Sequence, residues 1–307
     1  MKSIINKNIT APTVYIDCHI HIEKGDYTLG WIDRFVETAV NRGIDEIWLL
    51  EHCYLFPEFV SMYDKLRSTN EYLDKWFARK AGKRDFSAYL RLVEKVRELG
   101  AQGRRYDQRG LDERQGYGFN ERREHRLDVH YNLGYPVKIK FGLEVCYFKE
   151  HEELVYNATK DNDLDFIVGS VHFIDNFAYD HGENNEWKGI NVNWAYDRYF
   201  ETAGDLAESG IYNGIAHPDL LKLFGHKPSY SLLPYYDGLA AALAKTGMYA
   251  EQNGGAYRRC PDTCEPGMDA GLIKALRNEN VTILTASDAH RPEDVGIYVK
   301  EMQELLQ

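Results

Sequence analysis

Two histidines, His19 and His21, close the apolar run Ile16-Asp17-Cys18-His19-Ile20-His21. In an extended chain, side chains two apart share a face, so both imidazoles can reach one ion at about 2.0–2.1 Å. The spacing returns as Asp288 and His290 at the end of Thr-Ile-Leu-Thr-Ala-Ser, adding a carboxylate and a further imidazole. Between these pairs, other apolar runs end in a residue of the same kind: His52 after EIWLL, Glu144 at the end of VKIKFGL, His172 after FIVGSV, His217 after YNGIA, and Glu251 with Asn253 after GMYA. Nitrogen and oxygen ligands delivered from successive strand ends are how a barrel assembles a metal site. Glu144 sits among apolar residues, where a carboxylate is costly unless it is paired or holds a cation. A carboxylate bridging two ions resolves that cost. Glu23 and Asp26, in the loop after His21, are the candidates to complete a further site.

Candidates for gripping an anion lie nearby. Arg258 and Arg259 follow Asn253-Gly254-Gly255, and a guanidinium fork suits a phosphate or carboxylate. Arg198 and Lys222 are placed in or near loops on the same face as weaker candidates, and Glu251 and Asn253 are further substrate-binding candidates.

Strands that present these residues must be separated by helices. The segments LGWIDRFVETAVNRG, DLAESG, LLPYYDGLAAALAKTG and AGLIKALRNEN carry helical periodicity between the apolar runs, and Gly43 and Gly247 supply left-handed stops. Strand and helix in alternation predict a parallel sheet. The alternation lapses over residues 57–136, read as a helical and loop insertion after the second strand, with Tyr63, Leu66, Tyr89, Leu92, Val93 and Val96 as its periodic apolar positions. Its stretch 100–126, dense in glycine and both signs of charge, reads either as a solvated loop or as a lid over the catalytic face. A chain of 307 residues fits one such domain, 1–307, without a second.

Composition narrows the partners. A net charge of −11 disfavours a nucleic-acid surface, which needs Lys and Arg against phosphates, but leaves room for a small substrate in a locally positive pocket. The first residues carry no apolar stretch of signal-sequence or membrane length, so the expectation is a soluble cytoplasmic protein with no membrane partner. Five irregularly spaced cysteines fit reduced thiols: Cys18, Cys53 and Cys146 as small core residues, Cys260 and Cys264 as a loop pair.

Taken in order, IDCHIH, IWLLEH, KFGLEV, VGSVHF, GIAHPDLLKLFG, AEQNGGAYRR and TASDAH resemble the polymerase-and-histidinol-phosphatase (PHP) superfamily, and within it the histidinol-phosphatases. The resemblance implies a distorted (β/α)7 TIM-like barrel carrying three divalent ions, manganese, iron or zinc, with magnesium as an alternative. It assigns His19, His21, Glu144 and Asp288 to one ion, Glu144 with His172 and His217 to a second, and His52, His290 and a first-loop residue to the third. Relatives often place histidine or aspartate six residues after the second histidine. Here that residue is Tyr27, so Glu23 or Asp26 must stand in.

The implied reaction is hydrolysis of a phosphomonoester, L-histidinol phosphate first among them, in histidine biosynthesis. A metal-bridging hydroxide would attack phosphorus, Arg258 and Arg198 would hold the non-bridging oxygens, and Asp288 or His290 would move the proton. Glu251 and Tyr257 are candidates for the substrate's ammonium and imidazole. Alternatives are an amidohydrolase-type barrel, disfavoured because Glu144 stands where a bridging lysine would, and a superfamily relative that cleaves another small phosphate ester or nucleotide. A nucleic-acid-processing or non-catalytic metal-binding relative is opposed by the acidic composition.

Overall fold

The computed structural model describes residues 13–101, 135–181 and 187–307. Seven strands, β1 (Ile16–His21), β2 (Glu46–His52), β3 (Lys138–Cys146), β4 (Phe166–Ser170), β5 (Gly214–Ile215), β6 (Tyr249–Asn253) and β7 (Ile283–Ala286), lie side by side in chain order. All six pairings are parallel. Between β7 and β1 the sheet nearly closes, through one parallel bridge from Ile20 to Ala289 and a 2.8 Å hydrogen bond from the His21 amide to the Ala289 carbonyl. This is the seven-stranded TIM-like barrel expected from the sequence.

Among the described residues the helices are α1 (Leu29–Arg42), α2 (Asp64–Thr69), α3 (Glu71–Lys80), α4 (Phe86–Ala101), α5 (Glu152–Thr159), α6 (Val192–Glu208), α7 (Leu233–Thr246), α8 (Gly255–Arg259), α9 (Ala270–Asn278) and α10 (Val299–Leu305). Helix α1 shows why the order was legible. The Thr28 side chain accepts from the Trp31 amide at its start, Gly43 ends it at φ 65°, and Ile32, Phe35, Val36 and Ala39 form one buried stripe. Gly247 ends α7 in the same left-handed conformation.

The strands' two faces divide the apolar residues. Cys18, Trp48, Leu50, Phe166, Val168, Ala216, Tyr249 and Ala286 fill the barrel interior, while the outward residues join a larger core beneath the helices. Each large side chain so buried contributes about 1.5–3 kcal/mol. The segment between β2 and β3 belongs to that outer core: Tyr63, Leu66, Tyr89, Leu92, Val93 and Val96 are all buried in it, and the Tyr89 hydroxyl donates to the Gly142 carbonyl at 2.7 Å. Residues 102–126, the bulk of the stretch read as loop or lid, lie outside the described residues. Cys18, Cys53, Cys146 and Cys264 are buried, and all five cysteines are free thiols. Among the described residues no helix is long and apolar enough to cross a membrane.

Candidate metal centre

Strand periodicity carries the polar side chains to one rim. Trp48 and Leu50 point into the barrel, so His52, next in the alternation, faces inward at the end of β2. His172, His217 and Asp288 each stand two residues beyond the ends of β4, β5 and β7. In β1 the register against β2 shifts between Asp17 and Ile20, an extra residue that re-aims the strand, so Cys18 joins the interior while His19 and His21 both reach the rim. His217 and Asp288 hold φ at 31° and 54°, a strained conformation for residues other than glycine and one that clusters at functional sites.

Three overlapping groups result. The Nε2 atoms of His19 and His21 face each other at 3.0 Å, with Glu144 Oε2 at 3.6 and 3.4 Å from them and Asp288 Oδ1 at 3.7 and 3.6 Å. Glu144 Oε1 meets His172 Nε2 at 2.9 Å and His217 Nε2 at 3.2 Å. His21 is stacked between His52 and His290, with ring centroids 4.0 and 4.3 Å away, and one ring nitrogen from each of the three lies within 4.8 Å of the others. Glu23 closes this last group, Oε1 2.8 Å from His290 Nδ1 and Oε2 3.6 Å from His21 Nδ1.

The arrangement fits divalent cations. Glu23 Oε2, His21 Nδ1 and His217 Nδ1 are buried without a hydrogen-bond partner, and Glu144 Oε2 has only ion-pair contacts, the shortest to His52 Nδ1 at 2.7 Å; a cation would relieve the cost of that burial. Imidazole and carboxylate together suit several first-row ions.

Charge is distributed unevenly across the site. Burial opposes charge on His19, yet Glu251 and Glu144 hold its pKa well above the usual histidine value. His172 is likewise raised against its burial, by Glu144 and Asp180, and His290 is lifted to about 9 by Asp288 and Glu23. His21 goes the other way, pushed well down by burial and by His52, His290 and His19. Glu144 and Asp288 are buried but stay well below the carboxylate range, Glu144 through His52 and His172, Asp288 through His290 and His19.

The remaining sequence candidates are placed differently. Of the two loop acids, Glu23 reaches the centre, while Asp26 stands exposed at the surface of the loop. Tyr27 packs instead against Tyr89 and beneath the Arg84 guanidinium, which donates to the Glu23 carbonyl. Glu251, a substrate candidate by sequence, is fully buried. Its Oε1 lies 2.9 Å from His19 Nδ1 and its Oε2 accepts from the Asn253 side chain at 3.0 Å, so it orients a histidine from behind. Asn253 in turn accepts from the Gly255 amide at 2.8 Å. Arg258 is tied down by the Asp288 carbonyl at 2.6 Å and Asp294 at 2.6 Å. Arg259 donates to the Asp180 carbonyl and leaves its side chain nearly half exposed. Arg198 lies within α6, not in a loop, paired with Asp175 and Glu201. Lys222 is engaged by Asp219 and the Gly267 carbonyl, and Tyr257 packs on Tyr298.

Sequence reasoning missed three contributors. Asp180 holds His172 Nδ1 at 3.1 Å and is kept ionised, at about 2, by His172 and His181 despite burial. Asp17 accepts from the Ser287 and Gly296 amides at 2.8 and 2.7 Å and so pins the loop carrying Asp288; burial raises it to about 6. Gly255 leaves the space that the Asp288 side chain fills. Only Asp17, an acid inside an apolar strand, carried a readable signal.

A parallel barrel with histidines and carboxylates gathered at the C-terminal ends of its strands defines an α/β barrel built to hold metal. The PHP domain model matches residues 17–254, most of the chain, and the protein belongs to that family. A probable histidinol-phosphatase of Deinococcus radiodurans is 27% identical over 175 residues, 54% of this chain and 65% of that protein. One from Schizosaccharomyces pombe is 25% identical over 179 residues, 54% of this chain and 58% of that protein. The chain thus spans a little under two thirds of the length of these curated relatives. In fold, it is similar to a histidinol phosphate phosphatase from Lactococcus lactis, crystallised with zinc, L-histidinol and phosphate, with a TM-score of 0.60, 15% identity and coverage of 95% of this chain and 92% of that one.

Proposed function

We propose that the protein is a metal-dependent phosphomonoesterase whose substrate is L-histidinol phosphate, cleaved to L-histidinol and phosphate as a step of histidine biosynthesis in the cytoplasm. The observation that carries this reading is Glu144, a buried carboxylate whose two oxygens face two separate histidine groups. Support comes from the relatives named for that activity and from the fold shared with an enzyme that holds zinc, L-histidinol and phosphate.

Three divalent ions are assigned: one to His19, His21, Glu144 and Asp288, one to Glu144, His172 and His217, and one to His52, His290 and Glu23. Ions so held would bring the pKa of a bound water towards neutrality and offset charge on phosphoryl oxygens. The chain's own residues supply the rest. Asp288 or His290, whose Oδ1 and Nε2 lie 3.5 Å apart beside the assigned ions, would help move the proton between the attacking water and the departing alkoxide. Glu23 and Glu251 fix the His290 and His19 rings. Arg259 offers the more exposed guanidinium for a phosphoryl oxygen, a role the sequence had given first to Arg258. As water adds to phosphorus the ester P–O bond breaks, and the departing alkoxide takes up a proton. A bridging lysine, the mark of the amidohydrolase alternative, is lacking among the described strand ends: Lys140, in β3, lies 3.9 Å over the Trp48 ring and pairs with Glu46.

The test is release of inorganic phosphate from L-histidinol phosphate and a panel of other phosphomonoesters by metal-stripped protein reconstituted with Mn²⁺, Zn²⁺ or Fe²⁺. Marked preference for histidinol phosphate supports the reading. Broad turnover removes the assigned substrate, and no turnover of any ester removes the phosphatase.

A further inference from the structure

A small cavity of about 100 Å³ opens beside the centre and shares two walls with it, His52 and His172. Its other walls include Tyr54, from the turn after β2, Trp76 of α3, and Asp180 and His181 from the segment after β4. The aromatic surfaces are continuous with the histidine stack: His52 lies on Tyr54 with centroids 4.9 Å apart, Tyr54 meets Trp76 edge-on at 5.2 Å, and Trp76 meets His181 at 5.2 Å. Asp180 is buried and commits one oxygen to His172. Its Oδ1 has no hydrogen-bond partner and lies 3.8 Å from His181 Nε2.

Position, size and chemistry together select an occupant. A group held on the metal ligands His52 and His172 has this cavity as an immediate neighbour, so the part of an ester that leaves can enter it. The volume is of the order of a dry cavity of about 150 Å³ that takes up benzene, so it has room for one five-membered ring. Aromatic walls favour a flat π-face in stacked or edge contact, and a buried carboxylate oxygen lacking a partner favours an N–H donor. We infer that this cavity is the leaving-group subsite, that it takes a planar nitrogen heterocycle bearing an N–H, and that Trp76 and Asp180 are its specificity-determining residues. The inference rests on the phosphatase reading above. It assigns a selective role to α3, which the segment between β2 and β3 supplies and no strand end could.

The experiment compares metal-reconstituted protein on L-histidinol phosphate and on O-phosphoethanolamine, which keeps the amino-alcohol phosphate and lacks the ring. Trp76 is partly exposed, so its replacement is compatible with folding. Trp76→Ala is expected to lower kcat/KM for histidinol phosphate about tenfold or more and to weaken competitive inhibition by L-histidinol by a similar factor. Its rate on O-phosphoethanolamine and its metal content should match the wild type, and Trp76→Phe, which keeps a ring, should recover most of the loss. Parallel loss on both esters, or no loss on either, overturns the subsite and leaves the phosphatase standing. A wild-type protein that frees phosphate from neither ester overturns the phosphatase and the subsite with it.

Discussion

Replacing Gly255 with alanine puts one methyl group against the centre, and its effect follows from distances. A β-carbon placed on Gly255 lies 2.8 Å from the Asp288 β-carbon and 2.9 Å from its γ-carbon, and overlaps Oδ2 outright. Carbon atoms rest at about 3.5–4.0 Å, so Asp288, already strained at φ 54°, must retreat by roughly 1 Å. Its Oδ1 lies 3.5–3.7 Å from nitrogens of His19, His21 and His290, so a shift of that size changes all three contacts. A displacement of that size costs about 100-fold in rate when it misplaces a reacting group. Alanine would otherwise stabilise a helical position by about 0.5–1 kcal/mol. Gly238 in α7, where an added β-carbon would meet nothing within 4 Å, is therefore the matched control. Phosphate-release kinetics, metal content by plasma mass spectrometry and calorimetric Tm separate the effects. Gly255→Ala should lose about 100-fold in kcat/KM and bind less metal, while Gly238→Ala should keep activity and gain slightly in Tm. A Gly255→Ala protein with wild-type rate and metal content would refute the placement of Asp288.

Other consequences follow from the same geometry. Glu144→Gln removes the charge that His52, His172 and His19 face, and should cut activity by more than about 100-fold, with loss of at least one equivalent of metal measured by plasma mass spectrometry. Glu251→Gln keeps an acceptor for His19 but not the charge, so metal affinity should fall by about 10- to 100-fold in a chelator competition while the circular dichroism spectrum is unchanged. His290 has a folded pKa near 9, above its unfolded value of about 6.5, so its contribution to the metal-free protein is fully present below pH 6.5 and lost as pH rises through 9. Tm of chelator-treated protein should therefore fall across that window by an amount that His290→Gln reduces; an unchanged slope would count against the Glu23–His290–Asp288 pairing.

The rim was legible because its ligands obey a short-range rule. Every strand alternates in and out with period two, so a polar residue ending an apolar run is marked by its neighbours, as His52 is by Trp48 and Leu50. The choice between neighbours was not legible. Glu23 and Asp26 share one loop and Arg258 and Arg259 share one helix, where adjacent side chains point about 100° apart. Which of each pair reaches the site depends on partners far along the chain: His290 selects Glu23, and Asp294 with the Asp288 carbonyl occupies Arg258. Glu251 reads from sequence as one more strand-end ligand. Only the assembled barrel shows it behind His19 rather than in front. Asp180 lies eight residues past His172 in irregular chain, with no periodicity to mark it.

The central claim is that these strand ends assemble one metal centre around Glu144. Anomalous diffraction from crystals of the Zn²⁺- or Mn²⁺-loaded protein tests it most directly. The account predicts peaks on both sides of Glu144, one among His19, His21 and Asp288 and one between His172 and His217, with a third between His52, His290 and Glu23. Metal bound in stoichiometric amount with no peak within coordination distance of Glu144 would contradict it.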